Sequence, residues 1–237
     1  MIIAYSVNVN DRRDLPRLKK LALYLPIEIN FTNNNLILDN LTIDITDSIS
    51  EIDPYVVGIR SDIRTISRAT LPDYLEKLII IGEELEVSNI IFSISEEDIE
   101  KVIFNENLKN IFNLLVNYKS ILSFDTPLRL CPKIYNVISN FLGGIFKLSF
   151  SYTLESELKV NEANKVLNEY FGLVNFIRIT DFEHNIKLVL HIVNYLAKRG
   201  YDENIVIDVE SSGNRLEVPE ALKKLKKLEE FIKTIYT

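Results

Sequence analysis

Apolar residues along this chain recur in two alternating patterns. Eight short β-branched runs read as strands: Ile2–Val9, Pro26–Phe31, Tyr55–Ser61, Ser88–Ile94, Ser120–Asp125, Ile145–Ser151, Val174–Thr180 and Asn204–Val209. Between most of them lie stretches whose apolar residues return every three or four positions. These predict helices over Asp14–Tyr24, Leu71–Glu86, Glu96–Asn117, Pro132–Phe141, Asn161–Phe171, Glu183–Arg199 and Val218–Tyr236. Strands that alternate with helices pair in parallel, because the helix supplies the crossover that parallel neighbours need. Eight such units in 237 residues fit a closed (β/α)8 barrel better than an open sheet, with residues 1–237 forming a single α/β domain. One helix is missing from the rhythm. Between strands two and three, NNNLILDNLTIDITDSISEID carries β-rich runs around Asp39 and Asn40, which predicts a hairpin or irregular segment in place of the helix.

A barrel of this kind keeps its ligand chemistry at the C-terminal ends of the strands and in the loops that follow. Charged residues there interrupt apolar runs: Glu28 in PIEINF, Arg60 in VVGIRSD, Asp125 in ILSFDTP, Arg178 and Asp181 in FIRITDFEH, Asp208 and Glu210 in NIVIDVESS. Burying such groups is costly, so they should face a pocket or pair with one another. As a site, Glu28, Asp125, Asp181 and Asp208 would supply acid/base groups, while Arg60, Arg178, His184 and Glu210 would hold a ligand. As structure, they would form internal ion pairs such as Glu28 with Arg60 or Asp208 with Arg178. Lys147 adds a further catalytic candidate. Alternation in GGIFKLSFSY puts it on one side of strand six with Ser149 and Ser151, and a desolvated lysine can form a Schiff base with a carbonyl substrate. The competing role is a buried pair with Asp125 or Asp208. His191 falls on a predicted helix and reads as an outer-layer residue. Arg64 and Arg68 read as a solvated helix face.

Three of these segments carry a resemblance. LAKRGYDENIVIDVES is similar to the last helix and strand of the xylose-isomerase-like TIM barrels, FIRITDFEH to the preceding strand, and ILSFDTP to the fifth strand. That superfamily holds sugar isomerases, sugar-phosphate epimerases and apurinic endonucleases. The resemblance implies a TIM barrel that acts on or binds a small sugar or sugar-phosphate-like ligand, isomerase- or epimerase-like if active. It also implies metal positions, which fall on Asp125, Ser149, Tyr152, Arg178 and Asp208. Only Asp125 and Asp208 remain acidic, so the expected cofactor is none or one divalent ion held by those two residues. A trinuclear zinc cluster is not expected. The alternatives are a non-catalytic barrel that has lost the metal site, or a Schiff-base lyase using Lys147, whose segment is faintly similar to aldolases and type I dehydroquinases. With 2 histidines in the chain, a metal-dependent endonuclease ranks last.

Charge and composition narrow the partners. The formal net charge is -7, from 34 acidic against 27 Lys plus Arg residues, which argues against nucleic acid because phosphate contacts need a basic face. The lysines of EALKKLKKLEEF alternate with leucines at helical spacing and read as the solvated side of a closing amphipathic helix. No apolar run approaches the roughly 18 residues of a membrane span, and MIIAYSVNVNDRRD lacks a basic lead, so a soluble, cytoplasmic protein with no membrane partner is expected. Cys131 is the only cysteine, which excludes an intrachain disulfide and a thiolate cluster. There is no phosphate-binding glycine loop. The partner expected is therefore a small molecule, with self-association left open.

Overall fold

A computed structural model describes residues 2–38, 46–47, 49, 55–62, 66–87, 89–99, 121–142, 149–153, 160–180, 186–208 and 218–236. Its strands are β1 (Ile2–Val9), β2 (Ile27–Phe31), β3 (Val56–Asp62), β4 (Asn89–Ser93), β5 (Ile121–Pro127), β6 (Ser149–Thr153), β7 (Phe176–Thr180) and β8 (Asn204–Asp208). Each pairs in parallel with the next, and β8 returns to β1 through Ile2↔Asn204 to Tyr5↔Ile207, so the sheet closes. The strand edges match the hydrophobic runs to within a few residues. At β5 the ladder runs two residues past Asp125, because Thr126 and Pro127 find partners in Tyr152 and Thr153. The helices are α1 (Leu15–Ala22), α2 (Asn35–Leu38), α3 (Leu71–Glu84), α4 (Cys131–Leu142), α5 (Val160–Tyr170), α6 (Ile186–Lys198) and α7 (Val218–Tyr236). A 3-10 turn over Arg12–Asp14 leads into α1, its Asp11 and Asp14 side chains forming a capping box, with Pro16 in the first turn of the helix. Among the described residues, no helix is long and apolar enough to cross a membrane.

The segment after β2, expected as a hairpin or irregular stretch in place of a barrel helix, is described mainly in its first part. That part is a helical turn, α2, in which the Leu36 N–H donates to the Asn33 carbonyl at 3.1 Å and the Ile37 N–H to the Asn34 carbonyl at 3.2 Å. Leu36 and Ile37 are both buried. A strand would turn these adjacent side chains to opposite faces, whereas a helical turn lets both reach the core. Asn34 fixes the start of the turn: its Nδ2 donates to the Asp62 carbonyl at 2.7 Å and its Oδ1 accepts from the Tyr74 hydroxyl at 2.8 Å. The expected turn at Asp39 and Asn40 lies outside the described residues, as does most of the helix expected over Glu96–Asn117.

Strands buried on both faces explain the near-continuous apolar runs. Outward residues such as Val7, Ile29, Ile59, Ile90, Phe124, Ile179 and Ile207 pack against Leu18, Leu21, Leu75, Leu78, Ile134, Leu167, Ile192 and Leu196 of the helices. The interior has its own apolar layer, a plug made of Ala4, Val57, Ile91, Phe176 and Val206. A bulge serves it. Ile27 pairs with Val56 but Glu28 pairs with Gly58, so Val57 is skipped in the ladder. Gly58 must be small, since a Cβ there would lie 3.1 Å from Ile91 Cδ1 and 3.2 Å from Phe176 Cζ. Below the plug runs a polar belt, in which Ser123 Oγ donates to Asn175 Oδ1 at 3.1 Å and Asn175 Nδ2 to Asn89 Oδ1 at 2.5 Å.

Tyr5, on the outer face of β1, is fully buried beside Arg17 of α1 and Glu220 of α7. Burial pushes its phenol up to about 12, against the pull of the Arg17 guanidinium and helped by Asp208 and Glu220. The unfolded phenol titrates near 10, so above that pH the unfolded chain loses its proton first. This contribution to stability is full below about pH 10 and vanishes as pH rises towards 12, a span worth about 2–3 kcal/mol. Urea unfolding at stepped alkaline pH is expected to show the loss, and Tyr5→Phe to flatten part of it. An unchanged alkaline slope in that variant would contradict the assignment.

Candidate functional site

Above the plug, towards the C-terminal ends of the strands, the interior becomes polar. Alternation delivers Ser6 and Asn8 from β1, Glu28 and Asn30 from β2, Arg60 from β3, Ser93 from β4, Asp125 from β5, Arg178 from β7 and Asp208 from β8. The centre of this layer is Arg178, whose side chain is fully buried. Its Nη2 bonds Glu28 Oε2, its Nε lies 3.2 Å from Asp125 Oδ2, and its Nη1 lies 3.4 Å from Asp208 Oδ2 and 3.3 Å from Ser6 Oγ. Ser6 Oγ in turn donates to Glu28 Oε1 at 3.0 Å. Burial by itself would weaken the hold of Arg178 on its proton. Glu28 first, then Asp125 and Asp208, outweigh that effect and raise its pKa further, so the group stays charged.

Arg60 forms a second storey. Its Nε donates to Asp125 Oδ2 at 2.8 Å, its Nη2 to Ser93 Oγ at 3.1 Å and its Nη1 to Asn30 Oδ1 at 3.4 Å. Asn30 Nδ2 continues the chain to Asn8 Oδ1 at 2.6 Å. The Arg60 side chain is 16% exposed, whereas Glu28, Asp125, Arg178 and Asp208 are sealed. Solvent therefore reaches the layer at Arg60 and not at the charges beneath it.

Five charged candidates thus come together: Glu28, Arg60, Asp125, Arg178 and Asp208. Their partners differ in part from the pairs considered from sequence. Asp208 does meet Arg178, but Glu28 pairs with Arg178 rather than with Arg60, and Arg60 pairs with Asp125. Lys147, Asp181, His184 and Glu210 lie outside the described residues. His191 is partly buried on α6 and bonds Asn164 of α5 at 3.1 Å, which places it in the outer layer. Cys131 is buried. Sequence reading passed over Ser6, Asn8, Asn30 and Ser93. The signal existed: Ser6 and Asn8 alternate with Tyr5, Val7 and Val9, and Asn30 stands two residues after Glu28, on the same face.

The metal implied for Asp125 and Asp208 can be tested on this geometry. A divalent ion needs several oxygens within roughly 2.0–2.6 Å of one point. Here both carboxylates are turned onto the Arg178 guanidinium, a permanent cation in the middle of the set. Among the described residues, no three His, Cys, Asp or Glu side chains are grouped to hold an ion. Among the described residues, the set around Asp125 and Asp208 does not fit the metal.

Comparison of the whole barrel with solved structures gives broad matches. A xylose isomerase domain protein from Planctomyces limnophilus superposes with a TM-score of 0.65 at 10% identity, covering 99% of this chain and 96% of that one. This chain has the same fold. A GH18 chitinase from Pseudoalteromonas aurantia follows with a TM-score of 0.55 at 9% identity, covering 93% of this chain and 98% of that one. A 3-dehydroquinate dehydratase from Geobacillus kaustophilus gives 0.52 at 9% identity, covering 97% and 91%. No protein-family model and no curated protein sequence matches the chain. At these identities the likeness is one of fold, and chemistry has to be argued from the site.

Proposed function

We propose that this barrel binds a small sugar or sugar-phosphate-like ligand at the C-terminal mouth, as a divergent xylose-isomerase-like protein whose metal site has degenerated. The observation that carries the reading is Arg60. Among Glu28, Arg60, Asp125, Arg178 and Asp208 it is the one whose side chain is partly open to solvent, and amide and hydroxyl groups of Asn8, Asn30 and Ser93 adjoin it. Neutral amides and hydroxyls suit the hydroxyls of a sugar, and a guanidinium offers a planar fork to a carbonyl, carboxylate or phosphate. Glu28, Asp125 and Asp208 are held inward by Arg178, so this layer serves recognition better than proton transfer. Asp181, His184 and Glu210, which follow β7 and β8 in sequence, are the remaining candidates for acid/base or ligand-binding groups. Partners in kind with those of the structural neighbours, sugars and their derivatives, are the first to try.

The test is calorimetric titration of the protein with neutral sugars and sugar phosphates, alongside metal analysis of the purified chain. At least one compound is expected to bind, and Arg60→Ala, checked for folding by circular dichroism, to weaken that binding by about tenfold, the value of one charge-assisted contact. A panel with no binder, or an Arg60→Ala protein with unaltered affinity, would remove the basis for this reading.

A further inference from the structure

The three carboxylates beneath Arg60 are not arranged like the ligands of a metal. Each meets a different nitrogen of one planar group: Glu28 at Nη2, Asp125 at Nε and Asp208 at Nη1 of Arg178. They come from three strands, β2, β5 and β8, and the cation they surround comes from a fourth, β7. We propose that Glu28, Asp125 and Asp208 form a guanidinium-shaped cation receptor, filled from within by Arg178, so that the barrel carries its own resident cation. The place that a soluble ion would take at the barrel mouth is supplied by the chain itself.

Three features support this. The receptor is sealed, with the Glu28 and Arg178 side chains both at 0% exposure, so a diffusing ion has no ready route to displace the side chain. Its shape suits the occupant, because Nη1 and Nη2 hydrogen-bond Asp208 and Glu28 while the Nε edge faces Asp125 as an ion pair at 3.2 Å without a hydrogen bond, whereas a spherical divalent ion would have to draw the three carboxylates to one point. A third support is Ser6, which donates to Glu28 and accepts from Arg178, fixing the carboxylate in the plane the fork requires. This receptor forms the floor of the site and stands whichever ligand binds above it.

The experiment empties the receptor and refills it. Thermal unfolding of the full chain carrying Arg178→Ala is followed in methylguanidinium chloride at concentrations too low to denature, with ammonium and magnesium chlorides at equal ionic strength as comparisons. Methylguanidinium is expected to raise the melting temperature of the variant saturably by several degrees and to leave the wild type unchanged. Adding Glu28→Gln to the variant should abolish the rise. The proposal is overturned if the variant ignores methylguanidinium, if all three chlorides act alike, or if the response survives Glu28→Gln. Should Arg178→Ala not fold unaided, refolding with and without methylguanidinium becomes the readout. Recovery with that ion supports the receptor and no recovery refutes it. A wild-type protein that binds no sugar would refute the ligand reading and leave this result standing.

Discussion

Replacing Arg178 with alanine is expected to lower the stability of the barrel by about 3–5 kcal/mol, the range for removing one partner of a buried ion pair. The reason lies in what is left behind. Glu28, Asp125 and Asp208 would stay buried with their shared cation gone, and Arg60 reaches only Asp125 among them. A neutral group of similar length is not an adequate substitute, so Arg178→Met should fall in the same range while the carboxylates remain. The sign can reverse when they are removed as well. A chain with Arg178→Met, Glu28→Gln and Asp208→Asn should recover much of the loss, since satisfied neutral groups avoid the desolvation of charges. Urea unfolding of these variants distinguishes the cases. A loss under about 1 kcal/mol in Arg178→Ala would mean that the guanidinium does not hold the layer together.

Phe176→Ala is expected to cost about 3–5 kcal/mol for a different reason, the cavity it opens inside the barrel. Phe176 is fully buried in the interior plug with Ala4, Val57, Ile91 and Val206, residues of four other strands. No outer helix can relax into that space, because the ring of strands stands between. The neighbouring glycine offers a check on the mechanism. A Cβ at position 58 would lie 3.1 Å from the Asn89 carbonyl oxygen, 3.1 Å from Ile91 Cδ1 and 3.2 Å from Phe176 Cζ, so removing the ring relieves one of three tight contacts and gives Ile91 room to shift, while the backbone contact stays. Gly58→Ala is therefore expected to destabilise the wild type and to be better tolerated beside Phe176→Ala. Strictly additive losses in the double variant, measured by thermal or urea unfolding, would argue against a shared space.

Much of the barrel could be read from the order of apolar runs, because parallel strands covered on both faces leave a continuous signal. The exception after β2 is instructive. Asn33 to Leu38 looks extended by composition, yet the need to bury both Leu36 and Ile37, with Asn34 tied to β3 and α3, selects a helical turn. Those ties join residues 28 and 40 positions apart, which a local pattern cannot report. At the site, Glu28, Arg60, Asp125, Arg178 and Asp208 were visible as charges among apolar neighbours. Who meets whom was not. Alternation says that a side chain points inward, but the height at which it enters follows from the stagger of the strands around the ring. That stagger brings Arg178 level with Glu28 and lifts Arg60 above it. Asn8, Asn30, Ser6 and Ser93 gave a weaker signal, since small polar residues in strands are ordinary.

The span of the charged layer along the chain bears on how the protein folds. Arg178 reaches back 150 residues to Glu28 and 172 to Ser6, while Arg60 reaches forward 65 to Asp125. Each of these contacts closes a long loop, and the entropy of closure is lost before the contact can reward it. Half a barrel cannot satisfy the layer: without β7 the carboxylates keep their water, and without β2 and β8 the guanidinium keeps its own. The network thus matures only when the ring is complete. Substitutions in it should accelerate unfolding far more than they slow folding, so the layer acts as a latch on the finished barrel, setting its lifetime rather than its path of assembly.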